Sequence, residues 1–498
     1  MDKSMSLKSY EKSSLLTYAF SIILTTIIML LFIYSSSDML HPFIIPTYIS
    51  GVIICFDLID WMRGRMSVFD PIGFLGLFGY HFFFIAPLLQ VYWARGMTYV
   101  IEPADWRTWL LGMGIINMIG LIIYRISYNY FGRRKKSKQN KTKKMELNTR
   151  KLVAITVPIL VITFALQTYI YLSFGGISGY INTYSSGEGS FEGLGFLFLI
   201  AESFPIIFLI LLIQIIHKKK WSKNYILLLI ILAVYFVLKL YFGGLRGSRS
   251  NTLWGLIWAV GIIHLFIRPI GRKAIIVGSV FLLGFIYIYG LYKGAGEEIF
   301  NASSTAELGE ITEETGRGIE TVLLGDLSRT STQAFILHKL VEHPDSYTLA
   351  KGRSYIGDVS ILIPKRIYPN RQPTKVKEGT EIIRGKDTYN PNGYTSSRIY
   401  GLTGEFMLNF GYVFAPLVFI LLGYFVSSVR SVLYSLKKGD SRFYLYPFLV
   451  IMCFLILVQD LDNLIFSITK NLLIPYFIIV LSSQKKERGS NYEVTVRS

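Results

Sequence analysis

Twelve long apolar runs limit what this chain can fold into. A bilayer core about 30 Å thick needs roughly 20 apolar residues of helix to cross it. Hydrophobic residues make up 52% of the 498-residue chain, and 35 Phe and 33 Tyr exceed what a soluble domain of this length carries. The runs lie near residues 15–34, 43–60, 72–93, 108–126, 152–173, 195–216, 225–242, 252–267, 274–292, 402–429, 443–459 and 464–482. The sequence therefore predicts an all-α polytopic membrane protein with about twelve transmembrane helices.

Three of these runs lie beside segments that are short enough to be re-entrant. The seventh and eighth flank the sequence GGLRGSRS, and the eleventh ends at QDLDN. At these points the chain could enter and leave the membrane on the same side, so these runs are also compatible with re-entrant segments.

The positions of Lys and Arg predict the orientation of the chain. Basic residues concentrate in the cytoplasmic loops of membrane proteins. Here they fill alternate loops, above all 133–144 and 217–223, which predicts that both termini are cytoplasmic. The net charge of +19 is thus explained by the basic cytoplasmic loops and their contact with anionic lipid headgroups. Nucleic acid is not an expected partner. Cys55 and Cys453 both lie in apolar runs and indicate neither a disulfide framework nor a metal site, and no cofactor is expected.

A polar region at 293–401, called the inserted region below, interrupts the apolar pattern. It follows nine runs and precedes three, so the topology predicts a large, partly helical extracytoplasmic loop. The chain divides accordingly into 1–292 with nine spans, the inserted region, and 402–498 with three spans and a cytoplasmic tail. Within the inserted region, 328–345 has the apolar spacing of an amphipathic helix.

Two arginines stand in a glycine-rich turn where positive charge opposes the topological bias. Arg246 and Arg249 lie in GGLRGSRSN, and Lys239 lies just below and could extend upward. Guanidinium groups bind phosphate through paired hydrogen bonds, and glycines allow a ligand to approach the backbone closely. The turn predicts a site for a lipid-linked phosphate or pyrophosphate. The alternative is an ordinary turn whose arginines pair with Asp460, Asp462 or lipid headgroups.

A second set of cations lies in the inserted region. Arg353, Arg366 and Arg371 alternate with prolines and with Tyr368. Aromatic faces stack on sugars and arginines bind phosphate, so this mixture favours binding of a phosphorylated glycan. A solvated loop with incidental charge has the same composition.

Ionisable groups in or beside membrane spans give the third signal, because such groups are costly and are usually functional or paired. Glu405 is expected at the outer end of the tenth span, with Asn409 one turn further on the same face. Glu202 lies in the outer half of the sixth span and Lys470 in the outer third of the twelfth. Glu405 is the preferred general base and Glu202 the second candidate. Each glutamate could instead form a structural ion pair with a Lys or Arg.

Three motifs resemble the Wzy-type O-antigen polysaccharide polymerases of bacteria. They are GGLRGSRSN after a middle helix, SYIGDVSILIPKRIYPNRQP in a late loop, and GEFMLNFGYVFAPLVFILLGYF after that loop, and the likeness covers about 225–430. The resemblance implies a GT-C-like membrane glycosyltransferase in the bacterial plasma membrane, with its active site facing the periplasm or exterior. Such an enzyme moves a glycan from one undecaprenyl pyrophosphate carrier to the non-reducing end of the repeat unit on another. It uses neither a nucleotide sugar nor a metal.

The resemblance also implies roles and partners. Arg246 and Arg249 would stabilise the departing pyrophosphate, and Glu405 would orient or deprotonate the acceptor hydroxyl. From their own chemistry, and not from the resemblance, Arg353, Arg366 and Arg371 are expected to hold the second carrier's pyrophosphate or the glycan. The further candidates for binding the substrate are Lys239, Tyr368, Asn409 and Glu202. The implied partners are undecaprenyl-pyrophosphate-linked glycans, membrane lipids, a flippase and a chain-length regulator. The alternatives are an O-antigen ligase, which uses a different acceptor, and a flippase of lipid-linked oligosaccharide.

Overall fold

The structure is a computed structural model. It describes residues 15–96, 103, 105–136, 143–186, 195–246, 249–295, 307, 318–364, 366–393, 395–396 and 398–485. The first half contains helices α1 (Leu15–Ser35), α2 (Ile44–Met62), α3 (Pro71–Tyr92, with a π turn at His81–Ile85), α4 (Arg107–Lys136), α5 (Thr149–Ser173), α6 (Gly176–Ser186), α7 (Gly195–Ala201), α8 (Phe204–Ile216) and α9 (Tyr225–Tyr241). The second half contains α10 (Arg249–Phe266), α11 (Arg272–Ala295), α12 (Thr330–Glu342), α13 (Arg353–Ser360), α14 (Lys375–Arg384), α15 (Gly401–Phe410), α16 (Phe419–Ser435), α17 (Tyr446–Val458) and α18 (Leu461–Ser482).

Short turns and one small sheet complete the described chain. Strands β1 (Met145–Leu147) and β2 (Ser483–Lys485) pair antiparallel, with Met145 opposite Lys485. The short helical turns are Ser37–Met39, Lys220–Lys223, Gly244–Arg246, Thr321–Asp326, Pro344–Ser346, Ala415–Val418 and Ser441–Tyr444.

Nine helices in the described part of the chain are long and apolar enough to cross a membrane. They are Leu15–Ser35, Ile44–Met62, Pro71–Tyr92, Arg107–Arg134, Thr149–Ser173, Gly195–Ile216, Arg272–Tyr292, Ala415–Ser435 and Leu461–Ser482. Three shorter apolar helices, Tyr225–Tyr241, Asn251–Phe266 and Tyr446–Val458, occupy the seventh, eighth and eleventh runs. The all-α, multi-pass class is confirmed, while the count of twelve crossings, the orientation and the GT-C likeness stay predictions.

The side chains of α1 show the pattern of a helix that faces lipid. Its buried residues include Thr17, Ser21 and Thr25, whereas Leu30 and Leu31 are exposed. Helices within a bilayer gain little from burying aliphatic side chains against each other, so small and polar residues face inward. The exposed aliphatic surface of the spans is therefore the surface that meets acyl chains.

Small residues allow α4 and α16 to pack closely at the centre of the bundle. A Cβ atom on Gly120 would lie 2.5 Å from the Phe419 ring, and one on Gly423 would lie 2.7 Å from Ser127 Oγ. Both distances are shorter than any real Cβ contact, so the crossing requires glycine at each position. The contact between α4 and α16 holds the turn Ala415–Val418, which precedes α16, next to the end of α15.

The predicted tenth span is wrong in its boundaries. The run 402–429 contains two helices, α15 and α16, separated at 411–414, where Gly411 has a φ of 81°. The crossing segment is Ala415–Ser435. Glu405 therefore lies on a separate ten-residue helix and not at the outer end of a span. The predicted amphipathic helix at 328–345 is confirmed as α12.

Candidate functional site

Five ionisable side chains meet where the inserted region contacts the start of α18. We call them the carboxyl cluster: Asp358 of α13, Lys375 of α14, Glu405 of α15, and Asp460 and Asp462 at the first turn of α18. All five are buried. A buried set of four acids and one base is costly unless its members are hydrogen-bonded or protonated. Their contacts show how this set is satisfied.

Two helices cap each other through the cluster. Asp460 Oδ1 accepts hydrogen bonds from the backbone N–H groups of Tyr400, at 2.8 Å, and Gly401, at 2.6 Å, where α15 begins. In return, Glu405 Oε2 on α15 accepts from the backbone N–H of Leu461, the first residue of α18, at 2.8 Å. Helix N-termini favour negative groups, since their first N–H groups have no partner within the helix. These reciprocal hydrogen bonds hold α15 against α18.

Lys375 attaches a second helix of the inserted region to the same point. Its Nζ forms an ion pair with Asp460 and lies 3.3 Å from Asp462 Oδ1. Burial lowers the pKa of Lys375, but the negative charges of Asp460 and Asp462 raise it more, so its pKa lies above the ordinary value. The Lys375 ammonium is thus charged and neutralises one of its two carboxylate partners.

Asp358 and Glu405 form a carboxyl pair. If both were ionised, Asp358 Oδ2 and Glu405 Oε1 would find no donor among the described residues. A proton on Glu405 removes this conflict, because Glu405 then donates a hydrogen bond to Asp358. Burial and the negative charge of Asp460 raise the pKa of Glu405 well above its usual range. Burial also raises the pKa of Asp358, to about 6. Two carboxyls that share one proton are an arrangement found in acid–base sites.

Asn409 positions α13 over this pair. Its Oδ1 accepts from the backbone N–H of Gly352 at 3.0 Å, and its Nδ2 donates to Ser354 Oγ at 2.8 Å and to the carbonyl of Glu405 at 2.9 Å. Asn409, predicted to bind substrate, thus contacts Gly352, directly before α13, and Ser354 in its first turn, and connects α13 to α15.

A second polar network lies within the apolar helices. Lys470 of α18 forms an ion pair with Glu202, which lies between α7 and α8. Asn251 Nδ2 donates to Glu202 Oε2 at 2.8 Å, and Lys239 Nζ donates to Asn251 Oδ1 at 3.1 Å. We call these four residues the membrane network. The structure therefore places Glu202 in a Glu–Lys pair, which was one of its two predicted roles.

The glycine-rich turn packs directly on the membrane network. Gly243 has a φ of +139°, and a Cβ atom there would lie 2.6 Å from the Glu202 carboxylate. The Tyr289 hydroxyl donates to the carbonyl of Gly244. The close approach at Gly243 is thus to a side chain of the protein itself. The expectation that Lys239 extends upward is wrong, because its side chain is 2% exposed and is directed at Asn251.

The arginine pair is only partly described. Arg246 ends the turn Gly244–Arg246 and Arg249 begins α10, but the side chains of both arginines, and residues 247 and 248 between them, lie outside the described residues. Their predicted role as a phosphate clamp stays a prediction.

The three arginines predicted to bind a phosphorylated glycan, Arg353, Arg366 and Arg371, do not converge on the carboxyl cluster. Arg353 lies 3.9 Å from Glu378, and Arg371 donates to the carbonyls of Ile361 and Ile363, each at 3.2 Å. Arg366 and Tyr368 are exposed, and residue 365 lies outside the described residues. Arg371 thus has a structural contact that folds 361–371 back on itself.

Sequence reasoning missed Asp358 and Lys375 entirely and named Asp460 and Asp462 only as partners for arginines. In the part of the chain that the structure describes, no three His, Cys, Asp or Glu side chains are arranged to hold a metal ion. No protein-family model, curated protein or solved structure matches this chain.

Proposed function

We propose that this protein is a membrane glycosyltransferase that polymerises undecaprenyl-pyrophosphate-linked oligosaccharide repeat units. The observation that carries the proposal is the buried pair of carboxyls, Asp358 and Glu405, each with one oxygen that lacks a donor among the described residues, where the inserted region meets the membrane helices. The resemblance of three motifs to Wzy-type polymerases indicates which reaction such a pair would catalyse.

In the proposed reaction, the acceptor sugar on one carrier attacks the anomeric carbon of the glycan on another. The new bond joins the acceptor oxygen to that carbon, and the bond from the carbon to the pyrophosphate oxygen breaks. The electron pair leaves with undecaprenyl pyrophosphate, whose charge Arg246 and Arg249 would stabilise. The hydroxyl proton passes to a carboxylate. The glycan thereby moves onto the second carrier.

Asp358 is the better proton acceptor of the pair. A pKa of about 6 leaves its carboxylate mostly ionised at neutral pH, and a base works best when its pKa lies near the working pH. Glu405 holds its proton and donates a hydrogen bond to Asp358, so it tunes and orients the base. This assignment moves the role of base from Glu405 to its neighbour.

The proposal requires α13 to move, because Asp358 is buried in this structure. The chain enters α13 through two residues with left-handed backbone, Lys351 at φ 51° and Gly352 at φ 87°. We assign the segment from Arg353 to Arg371 the role of a cover that opens to admit the acceptor.

One helix connects the two parts of the proposed site. Leu461 of α18 contacts Glu405, and Lys470 of the same helix pairs with Glu202, on which the glycine-rich turn packs. Nine residues of helix separate these contacts, a distance of about 13 Å along the axis. In the proposed reaction, the arginine side chains and the opening of α13 bring the pyrophosphate and the acceptor hydroxyl together across this distance.

The test is polymerisation by the purified protein in liposomes that contain lipid-linked repeat units. Loss of a general base typically lowers a rate by about 10²–10⁴-fold. We expect that loss for Asp358→Asn, and loss of polymer for Arg246→Ala and Arg249→Ala at unchanged protein levels. The matched control is Asp345→Asn, an exposed aspartate of the same region. Normal polymer from Asp358→Asn would exclude it as the base, and normal polymer from both arginine variants would exclude the clamp.

A flippase of lipid-linked oligosaccharide is the second candidate. The observation that favours it is the burial of two lysines, Lys239 and Lys470, beside Glu202 within apolar helices. Cations along a path through the bilayer would suit the transport of a pyrophosphate. A strain without the protein separates the two functions, since loss of a polymerase leaves single repeat units on the cell surface and loss of a flippase leaves none.

A further inference from the structure

Helix α13 has its polar face buried and its apolar face exposed. Ser354, Asp358 and Ser360 are buried, whereas Ile356 is 59% exposed and Val359 is 61% exposed. A surface helix of a soluble protein has the opposite arrangement. The buried polar face is explained by its contacts with Asn409 and the carboxyl cluster. The exposed apolar face requires an apolar environment outside the protein.

The apolar surface continues beyond the end of α13. Leu362, Ile363 and Ile367 are all exposed, the last at 75%. Among them stands Arg366, and Tyr368 follows. Aliphatic side chains flanked by arginine and tyrosine are typical of segments that lie in a membrane interface, where the polar groups reach the headgroups.

Contacts with α15 place this surface beside a membrane span. The backbone N–H groups of Ala350 and Lys351 donate to the carbonyls of Leu408 and Asn409, at 3.1 and 2.9 Å. The rings of Tyr355 and Phe410 lie 6.2 Å apart. Phe410 immediately precedes the turn into the span Ala415–Ser435, and in that turn Val413 and Phe414 are exposed as well. The apolar surface of α13 thus adjoins the lipid-facing surface of a crossing helix.

We propose that residues 356–364 and 366–368 form a membrane anchor that lies in the bilayer interface without crossing it. The anchor is on the side where the spans Ala415–Ser435 and Leu461–Ser482 begin. Its aliphatic side chains enter the acyl region, and Arg366 contacts lipid phosphates while Tyr368 lies among the headgroups. The partner is the bilayer itself. This inference does not depend on the proposed glycosyl transfer.

The test measures the depth of single spin labels in the full-length protein in lipid nanodiscs. Labels are attached to Val359→Cys and Ile367→Cys, at exposed positions whose substitution leaves the packed face intact. Oxygen concentrates in acyl chains and a nickel chelate in water, so the ratio of their collision rates reports depth. We expect ratios above the value for water and below that of Phe281→Cys, an exposed position near the middle of the span Arg272–Tyr292, because an interfacial anchor enters only the outer part of the acyl region.

Two controls define the scale. Asn392→Cys, exposed and polar in the same region, gives the value for water, and the unsubstituted protein reports any label on Cys55 or Cys453, which are both buried. A ratio at Val359 and Ile367 like that of Asn392 would overturn the anchor. So would low accessibility to both reagents, which would mean that a second copy or another protein covers the surface.

Discussion

Replacement of Lys375 by Met tests whether the carboxyl cluster attaches the inserted region to the membrane helices. The side chain of Lys375 is buried and pairs with both Asp460 and Asp462. Removal of one partner from a buried ion pair costs about 3–5 kcal/mol, because the remaining charge is left without compensation. Asp460 would keep its bonds from Tyr400 and Gly401, so we expect the lower end, about 3 kcal/mol.

Hydrogen exchange of the amides that depend on the cluster provides the assay. The peptide that begins near Tyr400 contains the N–H groups that donate to Asp460. A loss of about 3 kcal/mol in the free energy of local opening speeds exchange roughly 10²-fold. Lys377→Met is the control, because Lys377 lies on the same helix and pairs with Glu381 only at 3.8 Å. We expect less than about 0.5 kcal/mol from it, or roughly a twofold change.

A compensating change sharpens the result. Lys375→Met leaves two buried carboxylates without their cationic partner, and Asp462→Asn removes one of these two charges. Asp460 still accepts hydrogen bonds at the start of α15. The double variant should exchange more slowly than Lys375→Met alone. The reasoning is refuted if Lys375→Met changes exchange no more than Lys377→Met does, since the ion pair would then contribute nothing to the attachment.

Three further predictions concern the same contacts. The pKa of Asp358 is about 6 in the folded protein against 3.8 ordinarily, so the folded state binds the proton more tightly. The closed position of α13 should therefore be most stable below about pH 4 and lose stability as the pH rises through 6. Asp358→Asn should flatten this pH dependence, measured by hydrogen exchange corrected for the intrinsic rate. Gly243→Ala places a Cβ 2.6 Å from Glu202 at a φ of +139° and should lower thermal stability clearly more than Gly175→Ala, which has a φ of +77° and open space. Asn409→Ala removes the acceptor of Gly352 N–H and should speed exchange of α13 by roughly fivefold, about 1 kcal/mol, without changing the amount of folded protein.

The membrane helices were predictable because their signal is local. A run of about 20 apolar residues is sufficient to indicate a crossing, whatever the rest of the chain does. The three runs that were also compatible with re-entrant segments correspond to the three shorter apolar helices. The break between α15 and α16 was missed because Gly411 stands inside a mostly apolar run, and only its φ of 81° shows that the chain turns there.

The carboxyl cluster could not be predicted for the opposite reason. Asp358 and Asp460 are about a hundred positions apart, and a single sequence contains no signal that brings them together. In addition, Asp358 lies on the polar face of α13, which the usual rule assigns to solvent. The first turn of α18 offered one usable hint, since Asp460 and Asp462 stand at the start of an apolar run, where a helix N-terminus favours acids.

The membrane network and the carboxyl cluster together explain why α18 can have charged side chains both at its start and at Lys470, nine residues further along. Each charged group in α18 or directly before it has a partner from another part of the chain: Lys375 for Asp460 and Asp462, and Glu202 for Lys470. Unpaired, each would cost several kcal/mol in a low-dielectric environment, so the partners cannot be lost one at a time without penalty. The inserted region is therefore attached through polar contacts, while its outer face at Ile356 and Val359 is apolar. The proposed contact with the bilayer explains this reversal of the soluble pattern, and the spin-label experiment on α13 tests that explanation.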